Sequence, residues 1–437
     1  MTHSKTIGAA ALAVLFASSV VISERTASRQ TRSDRIVVTY WEKWTKDEMK
    51  AMKTIVDRYN ASQSRVFVKM LSISGIAEKT LLAASGGNPP DVAGLWSDQV
   101  CQFGDANALV DLTPYAKRYG IKPSDYIPSY WKDLIHKGKL YALPTSPGSS
   151  ALYVNQDLMP PEYNTPKKFP KTLSQLDRLV ETVTVKKNGK IERLAFMPRS
   201  GFGGGSWPYL FGGALVRGDK ITVNDRDNVR AWTWVTSFAK RFGMAETQQF
   251  QSTFGVTSSQ DNPFIAKRLA CIMEGPWFAN FIRLYGHETK WFAVPMPYPD
   301  DRPDCAGYTV LNLNTLMIPR GAKHPDEAFD FIAFVQKQNN MELLCRLQYC
   351  NTPLSRVSEE FLANHPNPYI RVFDALARSP RAVGRERTGF LNQIQAEVSN
   401  AVDQMDLGQK TPQEALDDAQ RRLEEGWQKY QKQVLGT

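Results

Sequence analysis

A large aromatic side chain stands where a turn residue is expected, at the end of one apolar run. The run Leu269–Met273 is followed by Glu274, then by Gly275–Pro276, and then by Trp277. The apolar residues predict a buried strand, and Gly-Pro predicts a turn directly after it. The indole offers a ring face for stacking and the carboxylate offers hydrogen-bond acceptors. Acids at strand ends also cap helices or pair with arginine, so a structural role for Glu274 stays open.

A similar cluster follows another predicted strand, Asp91–Trp96. Asp98 and Gln99 come just after it. An earlier strand ends in Trp41 and Trp44. Ligands of open α/β sheets bind beyond the carboxyl ends of the strands, so these side chains are candidates for a binding site.

No catalytic or metal-binding motif accompanies these clusters. The chain contains no G-x-S-x-G, no H-E-x-x-H and no phosphate-binding loop. The five histidines are scattered, and no C-x-x-C or Cys/His spacing suggests zinc. We therefore assign no catalytic residue, no cofactor and no metal.

The composition is that of a globular protein with two or three cores. Of 437 residues, 42% are hydrophobic and 22% are charged. The formal charge of +10 is spread along the chain without a basic run, which argues against a nucleic-acid partner. A preference for anionic ligands stays open.

The N-terminus predicts export. Residues 1–30 contain Lys5, the uncharged apolar run Ile7–Ile22 and a possible cleavage region around Ser23–Ser28, as in a secretory signal. A retained membrane anchor is the alternative. The first cysteine is Cys101, so we expect no lipidated N-terminal cysteine. We place the mature protein in a periplasm.

The cysteine count leaves one thiol unpaired. The five cysteines are Cys101, Cys271, Cys305, Cys345 and Cys350. Cys345 and Cys350 are close enough in sequence to pair at the end of a helix, but five unpaired thiols are an equal alternative.

Strands and helices alternate along the first part of the chain. Ile36–Trp41 and Val66–Leu71 predict strands, and Thr45 with Glu48 predicts a capping box for the helix between them. With Asp91–Trp96, this order indicates an α/β lobe with a largely parallel sheet.

A second lobe is expected to begin near Ser146. Ala151–Asn155 predicts a strand, and Ala306–Ala322 predicts two. Thr411 and Pro412 predict the start of the final amphipathic helix. Three tryptophans lie within helical patterns and are expected in the core: Trp232, Trp234 and Trp427.

From Ile36 to its end, the chain resembles ABC-transporter solute-binding proteins of the maltose-binding-like family. The resemblance is carried by blocks in a specific order, which include AASGGNPPDVAGLW, ALVDLTPY, GKLYALPTSPGSSALYVNQDLM, NPFIAKRLACIMEGPWF, LMIPRGAKHPDEAFDFIAFV and TPQEALDDAQRRLEE. It implies a two-lobe periplasmic binding protein fold of type II, in which each lobe has a mostly parallel sheet flanked by helices. Lobe 1 is expected at 35–146 plus 307–352, and lobe 2 at 150–306 plus 353–437. The implied crossings lie near Ser146–Ser150, Ala306–Leu311 and Asn351–Ser355.

The resemblance also implies which residues contact a ligand. In the family, a tryptophan in the G-P-W context stacks on a sugar, which suits the apolar face of a pyranose ring and its rim of hydroxyls. The ligand-binding residues implied or considered are Trp44, Trp96, Asp98, Gln99, Trp207, Glu274, Trp277, Tyr308 and Arg356. The family often has a carboxylate and an aromatic before the W-P of Trp207–Pro208, whereas this chain has Phe202 and glycines.

The implied function is a periplasmic receptor of an ABC sugar importer. It would bind a mono- or oligosaccharide by hinge closure and deliver it to membrane permease subunits, acting as a monomer. The alternatives are the same fold with a phosphorylated polyol, an acidic sugar or a small organic anion as ligand, and a secreted carbohydrate-active enzyme.

Overall fold

The computed structural model describes residues 35–436. The predicted secretory segment, residues 1–30, lies outside the described residues, as does Thr437. Among the described residues, no helix is both long and apolar enough to cross a membrane.

Fifteen strands are present in the described part of the chain. They are Ile36–Glu42 (β1), Val66–Ser72 (β2), Val92–Trp96 (β3), Ile135–His136 (β4), Lys139–Leu140 (β5), Ala142–Ser149 (β6), Ala151–Asn155 (β7), Val185–Lys187 (β8), Lys190–Arg193 (β9), Val216–Arg217 (β10), Lys220–Ile221 (β11), Cys271–Glu274 (β12), Trp291–Val294 (β13), Thr309–Met317 (β14) and Ala382–Val383 (β15).

Sixteen α-helices connect and cover these strands within residues 35–436. They are Lys46–Ser62 (α1), Ile76–Ser85 (α2), Val100–Asp105 (α3), Thr113–Arg118 (α4), Pro128–Lys132 (α5), Leu173–Val183 (α6), Trp207–Leu210 (α7), Arg226–Phe242 (α8), Met244–Gln251 (α9), Phe278–Tyr285 (α10), Pro325–Gln336 (α11), Gln338–Leu347 (α12), Glu359–Ala363 (α13), Ile370–Ala377 (α14), Leu391–Asp406 (α15) and Pro412–Tyr430 (α16).

Strand β1 belongs to the larger sheet, and its alternating sequence determines which of its two faces is buried. Val38, Tyr40 and Glu42 are buried, and the residues between them are half-buried, because side chains alternate across a strand. The Tyr40 ring lies 5.7 Å from Phe331 of α11. The apolar face of the strand is therefore covered by a helix.

The larger sheet has the strand order β15-β14-β3-β1-β2, and β6 also pairs with β14. Pairs β1–β2, β1–β3 and β14–β15 are parallel, whereas β14 is antiparallel to β3 and to β6. Two strands were expected in Ala306–Ala322. The structure instead has the single strand β14, which is irregular between Leu313 and Thr315 where it pairs with β6.

The second sheet, β12-β7-β13, departs from the expected parallel arrangement. The middle strand β7 is antiparallel to both neighbours. Only Ser150 separates β6 from β7, so β7 runs away from the crossing. Strand β12 runs toward the crossing, and Glu274 at its end pairs with Ala151 at the start of β7. The α/β class holds, but both strand pairs of this sheet are antiparallel.

Buried apolar residues form two large cores, which define the first and second lobes below. The first core draws on residues between Val38 and Leu143 and between Leu311 and Leu354, with Phe361 and Ala377 added. The second draws on residues between Leu152 and Val310 and between Phe390 and Trp427, and a smaller cluster adjoins it. The exact lobe boundaries stay a prediction.

Backbone hydrogen bonds are present at the predicted crossings between the lobes. The Ser150 amide donates to the Val310 carbonyl at 3.1 Å, which joins the first two crossings. At the third predicted crossing, the Ile127 amide donates to the Pro353 carbonyl at 2.9 Å, but Ile127 and Leu354 both belong to the first core. These hydrogen bonds tie backbone segments that are far apart in sequence.

The helix caps agree only in part with the local signals. Thr411 and Glu414 form the expected capping box at the start of α16. Thr45 precedes α1, but its side chain makes no capping hydrogen bond. The backbone φ of Lys46 is 49°, which departs from the helical value and distorts the first turn.

Candidate functional site

The end of β3 places an indole beside unpartnered polar atoms. Trp96 is half-buried, and Asp98 and Gln99 follow it in a short 3₁₀ turn, Ser97–Gln99. Oδ1 of Asp98 and Oε1 of Gln99 are buried without a hydrogen-bond partner. Buried polar atoms without partners are costly. Donors from a bound ligand would satisfy them.

A lysine supports Trp96 from within the first lobe. Lys43 Nζ lies 4.9 Å from the centre of the Trp96 ring and 4.7 Å from that of Trp44. It also lies 3.2 Å from Oε1 of Glu42, which is 1% exposed. Trp44 is itself buried and packs against the same ammonium group. We therefore assign Trp44 to the support of Lys43 and Trp96.

A narrow crevice lies between the two lobes next to Trp96. Its volume of about 20 Å³ is enough for about one water molecule. The lining residues come from distant parts of the chain: Trp96, Ser97, Asp98, Cys101, Asp133, Leu311, Asn312, Leu313, Arg385, Glu386 and Arg387.

The loop before α15 supplies the second-lobe wall of this crevice. Nη1 of Arg385 lies 3.7 Å from Oδ2 of Asp98. Glu386 accepts hydrogen bonds from the hydroxyl of Tyr209 and, at 2.7 Å, from the amide of Leu215. Burial raises the pKa of Glu386 above its ordinary value, whereas these hydrogen bonds lower it. A role for this loop was not predicted from the sequence, although its charged cluster, RAVGRERTGF, is a visible signal.

A larger cavity of about 330 Å³ adjoins the crevice and shares Arg385 with it. It lies within the size range of small-molecule sites. Its lining is Arg199, Gly204, Gly205, Ser206, Tyr209, Leu215, Trp232, Gln251, Arg385, Gln395, Val398, Ser399 and Val402. Nε1 of the buried Trp232 has no hydrogen-bond partner. The mixture of neutral polar groups and apolar surface suits a polyhydroxylated ligand.

Two glycines keep part of this cavity free. A Cβ built at Gly205 meets nothing within 4 Å, and one at Gly204 meets only the Arg199 carbonyl oxygen, at 3.8 Å. The family often has an aromatic residue in this loop. The glycines of this chain therefore leave open space next to Ser206.

Trp277 lies at the edge of the same region. Its ring is half-buried and makes an edge contact with Phe202 at 5.8 Å. Phe202 begins the 3₁₀ segment Phe202–Gly205, which continues into the larger cavity. A Cβ at Gly148 would lie 2.3 Å from Cζ3 of Trp277, so only glycine permits this approach.

Strand β14 connects the surroundings of the two indoles. Asn314 pairs with Trp96, and Asn312 pairs with Gly148, against which Trp277 packs. Strands β3 and β6 flank β14, so the two environments are about 10 Å apart across the sheet. Asn312 also lines the crevice. The two indoles thus lie near the same part of β14, although Trp277 lines neither the crevice nor the larger cavity.

Glu274 is a buried acid beneath Trp277. It is 2% exposed and accepts a hydrogen bond from Thr257 at 3.4 Å. Burial raises its pKa from 4.5 to about 7, and hydrogen bonds from the Gly275 amide, Thr257 and Trp277 oppose this change.

The raised pKa predicts a loss of stability at neutral pH. The native state holds this proton more tightly than the unfolded state, so the stabilisation is full below pH 4.5 and is lost as the pH rises to about 7. When the pH rises from 5 to 8, we expect the unfolding free energy of the wild type to fall by about 2 kcal/mol more than that of Glu274→Gln. Urea unfolding at both pH values measures the difference. Equal losses in the two proteins would show that Glu274 is charged throughout.

Three other candidates do not join this region. Trp207 is 0% exposed and donates from Nε1 to the Pro198 carbonyl at 2.8 Å, so it is a core residue. Tyr308 is half-buried and packs against the second-lobe core. Arg356 is exposed in a different groove, beside Asp125 and Gln336. Neither cavity is lined by any of the three. We remove Trp207, which is a core residue, and Arg356, which lies in a different groove, from the proposed site, and the role of Tyr308 stays a prediction.

The remaining predicted side-chain features are structural. Trp232 and Trp427 are buried as expected, and Trp234 packs against the same core. All five cysteines are buried and unbonded. Within residues 35–436, no group of three or more His, Cys, Asp or Glu side chains could hold a metal ion.

Comparisons with known proteins agree with this architecture. Residues 54–367 match the family model described as bacterial extracellular solute-binding protein. CpMnBP1 with mannobiose bound is 25% identical, with a TM-score of 0.79 over 89% of this chain and 99% of that one. The same protein with mannotriose bound gives 26% identity and a TM-score of 0.78. The sugar-binding protein MalE from Xanthomonas citri is similar in fold, with 18% identity and a TM-score of 0.73 over 90% of this chain and 98% of that one. A comparison with curated proteins found no significant match.

Proposed function

We propose that this chain, which belongs to the bacterial extracellular solute-binding protein family, binds a neutral oligosaccharide as the receptor of an ABC importer. The observation that carries the proposal is the inter-lobe crevice, where a half-buried indole lies beside unpartnered Asp98 and Gln99 oxygens. A sugar would cover the ring with its C–H face and satisfy the oxygens with its hydroxyls. Mannobiose and mannotriose, which CpMnBP1 binds, are the first candidates.

The charges near the crevice favour a neutral ligand over an anionic one. Three acids, Asp98, Asp133 and Glu386, share the lining with Arg385 and Arg387. Arg385 is already paired with Asp98. The surplus of positive charge in the whole chain is therefore not concentrated here. A phosphorylated polyol or acidic sugar remains the second candidate because both arginines border the crevice.

Binding would act by closing the two lobes. The two lobes already approach at the crevice, where Arg385 lies 3.7 Å from Asp98 and the space is only about 20 Å³. The lobes would therefore open to admit a sugar and close on it, with contacts to Trp96 and Asp98 on one lobe and to the Arg385 loop on the other, so binding shifts the population toward a ligand-filled closed form. The closed receptor, acting as a monomer in the periplasm, would deliver the sugar to permease subunits. No bond is made or broken in this scheme, so oligosaccharides recovered after binding should keep their length.

Asp98→Asn tests the proposal directly. The change keeps the shape of the side chain but removes the charge that pairs with Arg385, so we expect at least a tenfold rise in Kd for the bound oligosaccharide. Calorimetric titration and thermal shift with mannobiose, mannotriose, maltose and a polyol phosphate measure this. The control is Asp301→Asn, which removes an exposed acid 2.6 Å from Arg230 that lines neither cavity.

The ligand series decides between the candidates. Binding of a neutral sugar at both low and high salt supports the proposal. Binding of only the phosphorylated polyol, weakened strongly by salt, would reject it in favour of the second candidate. Shortened oligosaccharides, produced by protein free of contaminants, would show an enzyme instead.

A further inference from the structure

The end of helix α12 brings two cysteines together. The Cys350 amide donates to the Cys345 carbonyl at 2.8 Å, and the Tyr349 amide donates to the Arg346 carbonyl at 3.2 Å. Tyr349 has a φ of 61°, in the left-handed region. These three features define a Schellman motif, and the residues at the positions of Cys345 and Cys350 frequently make a side-chain contact in such motifs.

The distances between the two backbones suit a disulfide. An amide nitrogen is about 1.5 Å from its own Cα, and a carbonyl oxygen is about 2.4 Å from its own. With the 2.8 Å hydrogen bond between them, the two Cα atoms lie within about 6.7 Å of each other, inside the range that disulfides span. Both side chains are buried in the first-lobe core, at 0% and 2% exposure.

We propose that in the exported protein Cys345 and Cys350, which are free thiols in this structure, form an intramolecular disulfide that fixes the end of α12 to the segment that follows Cys350. The bond replaces the hydrogen bond that Sγ of Cys350 donates to the Gln348 carbonyl at 3.3 Å. The bond forms by exchange with a small-molecule or protein disulfide. Each cysteine loses its thiol hydrogen, one sulfur–sulfur bond forms in this chain, the donor disulfide breaks, and the donor leaves as two thiols. Cys101, Cys271 and Cys305 remain as thiols.

The burial of both sulfurs indicates when the bond forms. Burial raises the pKa of both thiols well above the ordinary value, and the neighbouring Cys350 raises that of Cys345 further. Exchange needs a thiolate and access, so the folded pair reacts slowly. The bond therefore forms while the chain folds, before the core excludes the oxidant.

The disulfide would also hold the chain segment that follows Cys350. Asn351 and Thr352 follow Cys350 directly and are completely buried. A covalent link at Cys350 anchors this segment to α12. The proposal rests on export of the chain to an oxidising compartment, but it does not depend on which ligand the crevice binds.

Peptide mapping of the exported protein tests the pair. The full chain is purified from the extracytoplasmic fraction without reductant, unfolded and treated with N-ethylmaleimide. We expect three labelled cysteines. Trypsin cleaves after Arg346, between the two cysteines, so peptides Gln338–Arg346 and Leu347–Arg356 should appear joined, lighter by two hydrogen atoms than their sum.

Serine variants and refolding complete the test. Cys345→Ser and Cys350→Ser should each show four labelled cysteines, and reductant should lower the Tm of the wild type alone, by about 2 °C. Five labelled cysteines, or a linked peptide that contains another cysteine, would overturn the proposal even if neither variant folds. The bond could form during refolding in a glutathione buffer and yet be absent from the exported protein. That result would reject the proposal for the exported protein, although it would show that the two cysteines are close enough to pair. Neither result bears on sugar binding.

Discussion

Replacing Trp277 with alanine is expected to weaken oligosaccharide binding at least tenfold, about 1.4 kcal/mol. The half-buried ring packs against Gly148 of the crossing strand and against Phe202, next to the larger cavity. Loss of the indole removes the surface on which a sugar ring would stack, and it leaves a gap between the two lobes. The effect on Kd should exceed that of any single surface substitution.

The structure also changes what we expect for stability. From the sequence, this ring faces a cleft, and its loss should leave thermal stability nearly unchanged. The ring in fact packs against the first-lobe core and the smaller second-lobe cluster. We therefore expect Trp277→Ala to lose about 1–3 kcal/mol of unfolding free energy as well.

Calorimetry and urea unfolding separate the two effects of this change. Kd is measured at a temperature at which wild type and variant are both folded. Trp277→Phe is the matched control, because it keeps an aromatic face and should retain most of the affinity. An alanine variant with wild-type Kd would show that the ring only packs.

Trp207→Ala should show the opposite balance, a large loss of stability with little change in affinity. The Trp207 ring is fully buried and lies 4.7 Å from the Trp234 ring and 6.0 Å from that of Phe196. Its removal leaves a cavity and an unpaired Pro198 carbonyl. Changes of this kind cost about 3–5 kcal/mol.

The same two measurements test Trp207. The folded fraction of Trp207→Ala should bind the oligosaccharide within about threefold of the wild type, since the ring lines neither cavity. Trp207→Phe, which fills most of the space, should recover part of the lost stability. A tenfold loss of affinity at unchanged Tm would return Trp207 to the binding site and contradict the burial seen here.

Local sequence patterns predicted many of the strands and helices, but they did not predict how these elements pair with one another. Strand β7 has the predicted bounds Ala151–Asn155, and β1 extends the predicted Ile36–Trp41 by one residue. Such segments are encoded by adjacent residues, through β-branched runs and turn residues. The direction of β7 relative to β12 and β13 was not predicted, because it depends on how the chain crosses between lobes.

The candidate site was predicted least well where it depends on distant contacts. Asp98 and Gln99 were chosen because they follow a strand, and they do line or adjoin the crevice. Arg385, which faces Asp98, lies almost three hundred positions later in a charged loop without any periodic signal. No local pattern could pair the two.

The sequence by itself determined the α/β class, the cap at Thr411 and the burial of Trp232 and Trp427, because each of these follows from spacing within a few turns of chain. The tertiary structure alone decided that Trp277 is half-buried between two hydrophobic clusters, against Gly148, while Trp207 fills a core. Both rings follow similar turn residues and have the same demand for burial. What separates them is which distant segments pack around each one, and that is fixed only when the whole chain folds.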